Sequence, residues 1–151
     1  MTDAVERNAA AMREFQARAV LFQDAVARSA GLNSTDLQAV GLLMSEGPAT
    51  PGELAARTGL TAGGSITALI DRLERAGYVV RRRDGADRRR VLVSVVTERV
   101  LADVGPVYGR IAGRWADYLA TLTTEQVELA TEVLTRAAEI NREEVERMRS
   151  R

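Results

Sequence analysis

The sequence predicts a mainly α-helical protein that carries one small β-hairpin. Apolar residues recur at three- and four-residue steps along most of the 151-residue chain, which is the periodicity of amphipathic helices. Two β-prone runs flank an Asp-Gly turn within residues 78–95, as they do in a hairpin. Eight arginines and only three acids lie within residues 72–90, where a helix pattern gives way to the hairpin. A helix followed by an arginine-rich hairpin is typical of a winged helix-turn-helix that binds DNA.

Composition narrows the function classes. The chain has no Cys and no His, and all 21 basic residues are Arg. Disulfides, thiolate chemistry and lysine Schiff bases are therefore excluded, and the commonest general base and metal ligand are missing. We predict a protein that is not an enzyme and that holds no cofactor or metal. Since no long apolar run marks a secretory signal or a membrane span, we expect it to be cytoplasmic, with no membrane partner.

Charge is unevenly distributed along the chain. Residues 1–47 carry four Arg and six acids, residues 48–97 nine Arg and five acids, and residues 98–151 eight Arg and ten acids. The net charges of −2, +4 and −2 sum to zero, as the whole chain does. A basic centre with acidic flanks is typical of a DNA-reading module held by a scaffold that avoids DNA. An arginine-rich surface set by genome composition is the alternative, but it does not explain the clustering.

Two helices are predicted before the basic centre. The first covers residues 3–29 and ends at Gly31. Its apolar stripe consists of Val5, Ala9, Met12, Phe15, Ala19, Phe22 and Val26. Asn33 is the expected N-cap of the second helix, which runs to about Glu46 and stops at Gly47 and Pro48. Its predicted core residues are Leu37, Val40 and either Leu43 or Met44.

The next two helices form the predicted helix-turn-helix. The first begins with a capping box and a proline at the first helical position, which are Thr50, Glu53 and Pro51. Gly59 closes that helix. Thr61 is then the expected cap of a helix that runs to Ala76, with Gly77 as its left-handed stop.

A hairpin follows this helix pair directly. Its strands are predicted at residues 78–83 and 88–95, with residues 84–87 as the turn. Arginines on both sides of the turn make it a basic wing. Because many helix pairs share the helix-turn-helix pattern, the wing is what makes the assignment specific.

Two C-terminal helices are predicted, one over residues 98–119 and one that a capping box opens at residues 123–126 and that runs to about Met148. The first is striped by Leu101, Val104, Val107 or Tyr108, Ile111, Trp115, and Tyr118 or Leu119. Helices at both ends carry more apolar surface than one small winged domain covers, so a second copy of the chain is the expected partner. The alternative is a monomer that folds these helices back on itself. We predict dimerisation segments at residues 1–31 and 98–151 and a DNA-binding domain at residues 32–97.

The helix predicted over residues 61–76 is the candidate reading helix. Its expected core face holds Ala62, Ile66, Leu69, Ile70 and Leu73. Its outward face holds Thr61, Gly64, Thr67, Ala68, Asp71, Arg72 and Arg75, with Ser65 on the boundary. Because the outward residues are small, the helix can lie deep in the major groove. There Ser65 and Thr67 can hydrogen-bond to bases or phosphates, and Ala68 can contact a thymine methyl group.

Three features of the predicted reading helix and wing have alternative explanations. The pair Gly63 and Gly64 either allows close approach to DNA or relieves packing in the turn. Arg72 and Arg75 are predicted phosphate contacts, and the alternative is that they are ordinary exposed helix arginines. In the wing, Asp87 is placed to orient the guanidinium of Arg88 or Arg89 for a narrow minor groove, and the alternative is an isolated surface ion pair.

Five motifs, in this order and spacing, resemble those of MarR-family transcriptional regulators. They are Asn-Ser-Thr-Asp-Leu at 33–37, Thr-Pro-Gly-Glu-Leu-Ala at 50–55, Thr-Gly-Leu-Thr at 58–61, Asp-Arg-Leu-Glu-Arg-Ala-Gly-Tyr-Val at 71–79 and Asp-Gly-Ala-Asp-Arg-Arg at 84–89. The resemblance implies a homodimer that binds a pseudo-palindromic double-stranded DNA operator and often responds to a small molecule. It matches Ser65, Thr67 and Ala68 to the major groove, and Asp87 and Arg89 to the wing. The chain departs from the family pattern after the wing, where Thr97 is expected to take over the helix cap.

The leading hypothesis is a homodimeric repressor that a small organic effector releases from its operator. A winged-helix protein-interaction module without DNA binding is the second hypothesis, and the arginine-rich wing argues against it. An enzyme that modifies small molecules is the third, and the missing His, Cys and Lys argue against that. Tyr108 and Trp115 are expected in the core, with a ligand pocket as the alternative, and the effector site is otherwise unknown.

Overall fold

The computed structural model describes residues 2–60, 63–87 and 89–149, and these residues are mainly helical with a single hairpin. The predicted fold class is confirmed. The elements in chain order are α1 Thr2–Ser29, α2 Ser34–Glu46, α3 Pro51–Thr58, α4 Gly64–Arg75, β1 Val79–Arg83, β2 Val91–Val95, α5 Thr97–Asp103, α6 Gly105–Leu119 and α7 Thr124–Arg149.

The chain divides into two compact units, Met1–Val107 and Tyr108–Arg151. The first unit contains the hydrophobic core, to which every element from α1 to α5 contributes. Its most deeply buried large side chains are Val40, Leu43, Leu54, Leu69, Ile70, Leu73, Tyr78, Val79 and Val93. The first unit therefore holds both the helix pair and the hairpin, while the predicted three-segment division of the chain stays a prediction.

Local capping signals set the boundaries of α2 and α3, as predicted. The side chain of Asn33 accepts a hydrogen bond from the Asp36 N–H at 2.8 Å and begins α2. At α3, the Thr50 N–H donates to the Glu53 carboxylate at 2.7 Å, and the Glu53 N–H donates to the Thr50 hydroxyl at 3.2 Å. Gly59 ends α3 in the left-handed conformation. In α2, Leu43 rather than Met44 joins the core.

Several boundaries differ from the prediction. Helix α4 begins at Gly64 with Gly63 as its N-cap, so the start predicted at Thr61 is wrong, and Thr61 itself lies outside the described residues. Similarly, α5 begins after Val96 without a side-chain cap, so Thr97 does not cap it. The strand β2 begins at Val91, later than predicted, because the chain around Arg90 closes the wing loop.

The helix predicted over residues 98–119 is two helices, α5 and α6, with a break at Val104. Pro106 explains the break, since it has no N–H to donate and its ring clashes with the carbonyl four residues earlier. Val100, which is not on the predicted stripe, lies in the core together with Val104, whereas Leu101 of that stripe is 57% exposed.

The hairpin is antiparallel and pairs Val79 with Val95 and Arg83 with Val91. A third segment that the sequence did not reveal extends this sheet. Ala49 and Val93 exchange two backbone hydrogen bonds, of 3.1 and 2.7 Å. The bridge joins the start of the helix-turn-helix to the wing, because Ala49 directly precedes the cap of α3.

No helix in the described part of the chain is both long and apolar enough to cross a membrane. Among these residues no cluster of acidic side chains has the composition to hold a metal ion.

Candidate nucleic-acid interface

Helix α4 buries one face and exposes the other, as the sequence predicted. Its buried residues are Ile66, Leu69, Ile70 and Leu73. Gly64, Ser65, Thr67, Ala68, Asp71, Arg72 and Arg75 are exposed. The outward surface is thus small and polar over the first turns, with larger charged side chains only toward the C-terminal end.

The two glycines at the start of α4 differ in whether their backbone conformation requires glycine. Gly63 has φ 127° and ψ −139°, a conformation that residues with a side chain rarely adopt. Gly64 lies within the helix, and a Cβ atom built there meets nothing within 4 Å. Packing relief therefore explains neither residue, and no contact within the described chain requires glycine at position 64.

The first turn of α4 presents backbone donors. The N-cap of this 12-residue helix is Gly63, which has no side chain that could cap the N–H groups of the first turn. Such groups and the positive end of the helix dipole attract phosphate. The hydroxyl of Thr67 donates to the Gly63 carbonyl at 3.2 Å, so its proton is directed inward and its oxygen remains an acceptor on the exposed face.

Arg72 has a structural partner that the sequence did not reveal. Its guanidinium binds the buried carboxylate of Asp36 through two hydrogen bonds, of 2.6 and 3.3 Å. The hydrogen bond to Asp36 raises the pKa of Arg72 above its ordinary value. The pair joins α2 to α4, and the Arg72 side chain remains 45% exposed. Arg75, one turn later, is exposed and forms no ion pair with any described residue.

Two arginines of the wing also form ion pairs with acidic side chains. The guanidinium of Arg81 binds the carboxylates of Asp71 and Glu74 on α4. Arg90 binds Glu53 at 3.1 Å and lies 3.9 Å from Asp84. Glu53 thus takes part in the capping box of α3 and also binds an arginine at the base of the wing. Its pKa is lowered, first by the Thr50 N–H and then by the Thr50 hydroxyl, with smaller contributions from Arg90 and Arg57.

Backbone hydrogen bonds shape the wing tip. Asp84 accepts from the Ala86 N–H at 2.9 Å, and Asp87 accepts from the Arg89 N–H at 3.0 Å. The predicted orientation of a guanidinium by Asp87 is therefore wrong for Arg89, because this carboxylate holds the Arg89 backbone instead. Arg88 lies outside the described residues. The Arg89 side chain is exposed, and no ion pair joins it to any other described residue.

Tyr78 anchors the start of the wing from inside the core. Its ring is only 1% exposed, and its hydroxyl contacts the Ala30 carbonyl at 3.1 Å and the Asp103 carboxylate. Arg99 lies over the ring, 5.3 Å from its centre, and binds Asp103 at 3.0 Å. Burial, followed by the bond to Asp103, raises the pKa of Tyr78. The sequence marked Tyr78 only as the first residue of a strand, and no local pattern reveals contacts so distant in the chain.

A comparison with protein families matches the part of the chain that contains the helix pair and the wing. The model of the MarR family matches residues 30–90, from the end of α1 to the wing. An uncharacterised HTH-type transcriptional regulator of Bacillus subtilis, YcgE, is 40% identical over 137 residues, which cover 91% of this chain and 88% of that protein. The HTH-type transcriptional regulator MhqR of Bacillus subtilis is 30% identical over 106 residues, 70% of this chain and 72% of that protein.

Solved structures share the fold. A MarR family protein from Bacillus stearothermophilus has a TM-score of 0.71 at 21% identity, over 92% of this chain and 96% of that one. The complex of S. aureus MepR with DNA has a TM-score of 0.60 at 19% identity, over 84% and 94% of the two chains. NadR in complex with 4-hydroxyphenylacetate has a TM-score of 0.57 at 25% identity, over 85% and 92%.

Proposed function

Because this chain belongs to the MarR family of transcriptional regulators, which are not enzymes, we propose that it is a homodimeric repressor that binds a pseudo-palindromic DNA operator. We further propose that a small organic ligand releases it. The observation that carries the proposal is the exposed face of α4, small and polar over its first turns, beside a wing rich in arginine.

In this proposal α4 enters the major groove. The residues that meet the bases or the flanking phosphates are Thr61, Gly64, Ser65, Thr67 and Ala68. Gly64 lets the helix backbone approach the groove, which accounts for a glycine that nothing within the described chain requires. Thr67 offers the base edges a hydroxyl oxygen and a methyl group. The MepR complex, which shares the fold, contains DNA, and this supports the proposed partner.

The wing makes the second contact, through Asp87, Arg88 and Arg89. Asp87 supports it by holding the Arg89 backbone at the tip, which leaves that guanidinium exposed for a narrow minor groove. Arg75 is the phosphate contact on α4. Arg72 makes a weaker phosphate contact, because Asp36 binds its guanidinium while its side chain remains part exposed.

Exposed apolar side chains support the homodimer. Large hydrophobic residues are exposed on the outer helices, namely Val5, Phe15, Val20 and Leu21 on α1, Ile111, Trp115 and Tyr118 on α6, and Leu129, Val133, Leu134, Ile140, Val145 and Met148 on α7. Surfaces of this kind mark interfaces between protein chains. A second copy of the chain is the simplest cover for them, and two copies match the two halves of a pseudo-palindromic operator.

Ligand release rests on a likeness to NadR, whose structure contains the aromatic acid 4-hydroxyphenylacetate. We propose an organic effector for this chain on that basis. A screen of small aromatic acids for loss of DNA binding tests it, and a chain that stays on its operator throughout the screen contradicts this part of the proposal.

Selection from randomised duplexes, followed by fluorescence anisotropy at several salt concentrations, tests DNA binding. If each half of the dimer contacts three to five phosphates, log K against log salt should slope about −5 to −9. Thr67→Ala should relax the preference at one base pair in each half-site with little change in slope. Arg89→Ala should flatten the slope by about 0.9 per lost phosphate contact, or weaken the preference for A·T pairs at the operator edges. A folded chain that selects no sequence and shows no slope would instead support the protein-interaction module.

A further inference from the structure

Three consecutive arginines on β1, Arg81, Arg82 and Arg83, have different surroundings. Arg81 is held by Asp71 and Glu74, and its side chain is 29% exposed. Arg82 and Arg83 are exposed, and neither forms an ion pair with a described residue. From the sequence alone, the three arginines are indistinguishable members of one basic cluster. The structure separates them by partner and by the face of the strand on which each lies.

Strand alternation places Arg83 on the same face as Arg81, and Arg82 on the opposite face. The ion pairs of Arg81 show that its face is the one directed at α4. On α4, Asp71 follows Thr67 by four residues and precedes Arg75 by four, so these three form one outward stripe. Arg83 therefore shares a side of the domain with the proposed DNA-reading surface, and Arg82 does not.

We propose that Arg83 is a phosphate contact of the DNA interface, acting with Arg75, and that Arg81 is withheld from DNA by Asp71 and Glu74. This inference rests on the proposed DNA-binding function. An exposed guanidinium without a carboxylate partner has hydrogen-bond donors free for a phosphate, whereas one bound by two carboxylates has its charge neutralised locally. Arg81 in turn screens two acids that would otherwise repel the DNA backbone from the reading stripe.

The test compares Arg83→Gln with Arg82→Gln in the full-length protein, using anisotropy on the selected operator at several salt concentrations. Both substitutions remove one positive charge from neighbouring exposed positions of the same strand, so they are matched. Arg83→Gln should reduce the magnitude of the slope of log K against log salt by about 0.9 per subunit, or about 1.8 for two subunits, while Arg82→Gln changes it by much less. Equal slopes for the two variants overturn the inference.

A second comparison tests the withheld arginine. Asp71→Asn with Glu74→Gln frees Arg81 and should steepen the slope, and adding Arg81→Gln to that pair should return it toward the wild-type value. A double variant whose slope is unchanged by Arg81→Gln shows that Arg81 does not reach DNA even when freed, and this overturns the withholding. Circular dichroism establishes that each variant is folded.

The outcomes separate this inference from the function on which it rests. A wild-type chain that binds no duplex contradicts both. A wild-type chain with a steep slope that Arg83→Gln leaves intact contradicts only the assignment of Arg83.

Discussion

At the scale of single residues, the start of α4 depends on two adjacent glycines with different backbone requirements. Gly63 has φ 127°, so Gly63→Ala strains the backbone even though its new Cβ atom meets nothing within 4 Å. We expect that variant to lose about 1–3 kcal/mol of unfolding free energy. Gly64→Ala meets no neighbour and removes a poor helix former, so it should gain up to about 1 kcal/mol. Urea denaturation measures both.

DNA affinity should separate the two positions further. Gly64→Ala should weaken operator binding although it stabilises the fold, because its methyl group occupies the space that the proposed close approach requires. A Gly64→Ala variant that is more stable and binds the operator as well as wild type would show that close approach at this position is not needed.

At the scale of elements, Arg72 and Arg75 provide a matched pair on one helix. Arg72→Ala leaves the Asp36 carboxylate, which is only 3% exposed, without its cation. An unsatisfied buried group costs about 1–3 kcal/mol, and because Arg72 is itself part exposed we expect the lower half of that range. Arg75→Ala should leave the stability unchanged and lower the affinity for DNA. Equal melting temperatures for the two variants would contradict a structural role for the link between α2 and α4.

Tyr78 lies directly before β1, and its hydroxyl contacts the Ala30 carbonyl, directly after α1, and the Asp103 carboxylate at the end of α5. Tyr78→Phe should cost about 1–2 kcal/mol at neutral pH through the loss of these hydrogen bonds. The raised pKa of Tyr78 adds a dependence on pH. Below the ordinary tyrosine pKa of about 10 both states are protonated, and above it only the unfolded state ionises, so stability falls as pH rises toward the folded pKa.

Denaturation curves recorded from pH 8 to pH 11 check this. The decline above pH 10 should be shallower in Tyr78→Phe than in wild type. Parallel declines would mean that the Tyr78 phenol ionises as readily in the folded chain as in the unfolded one.

The elements also show what the sequence was able to predict. Caps and stops lie within a few residues of what they control, so Asn33, the Thr50 capping box and Gly59 were predicted correctly. The two faces of α4 follow from helical periodicity alone. The partners of Arg72 and Arg90 lie 36 and 37 residues away, and the bridge between Ala49 and Val93 joins segments that are farther apart still, so only the folded chain reveals them. The break before α6 was different, because Pro106 was a local signal that the continuous apolar stripe obscured.

At the scale of the whole molecule, the proposed dimer gives the single tryptophan a diagnostic position. Trp115 lies on α6 with Ile111 and Tyr118 on the same stripe, and its ring is 5.6 Å from that of Tyr118. In the isolated chain Trp115 is 50% exposed. If a second copy covers the stripe, Trp115 is shielded from water, and light scattering at micromolar concentration should give about twice the chain mass of 16.4 kDa.

Dilution then tests whether the same surface holds the dimer together. Tryptophan emission should shift to longer wavelength as the scattering mass falls, because dissociation exposes the indole ring to water. Trp115→Phe, which keeps an aromatic side chain, should preserve the dimer, whereas Ile111→Glu should weaken it by placing a charge among apolar neighbours. An Ile111→Glu variant that remains a dimer would place the interface elsewhere. A wild-type mass of a single chain would contradict the dimer and, with it, recognition of both operator halves by two linked subunits.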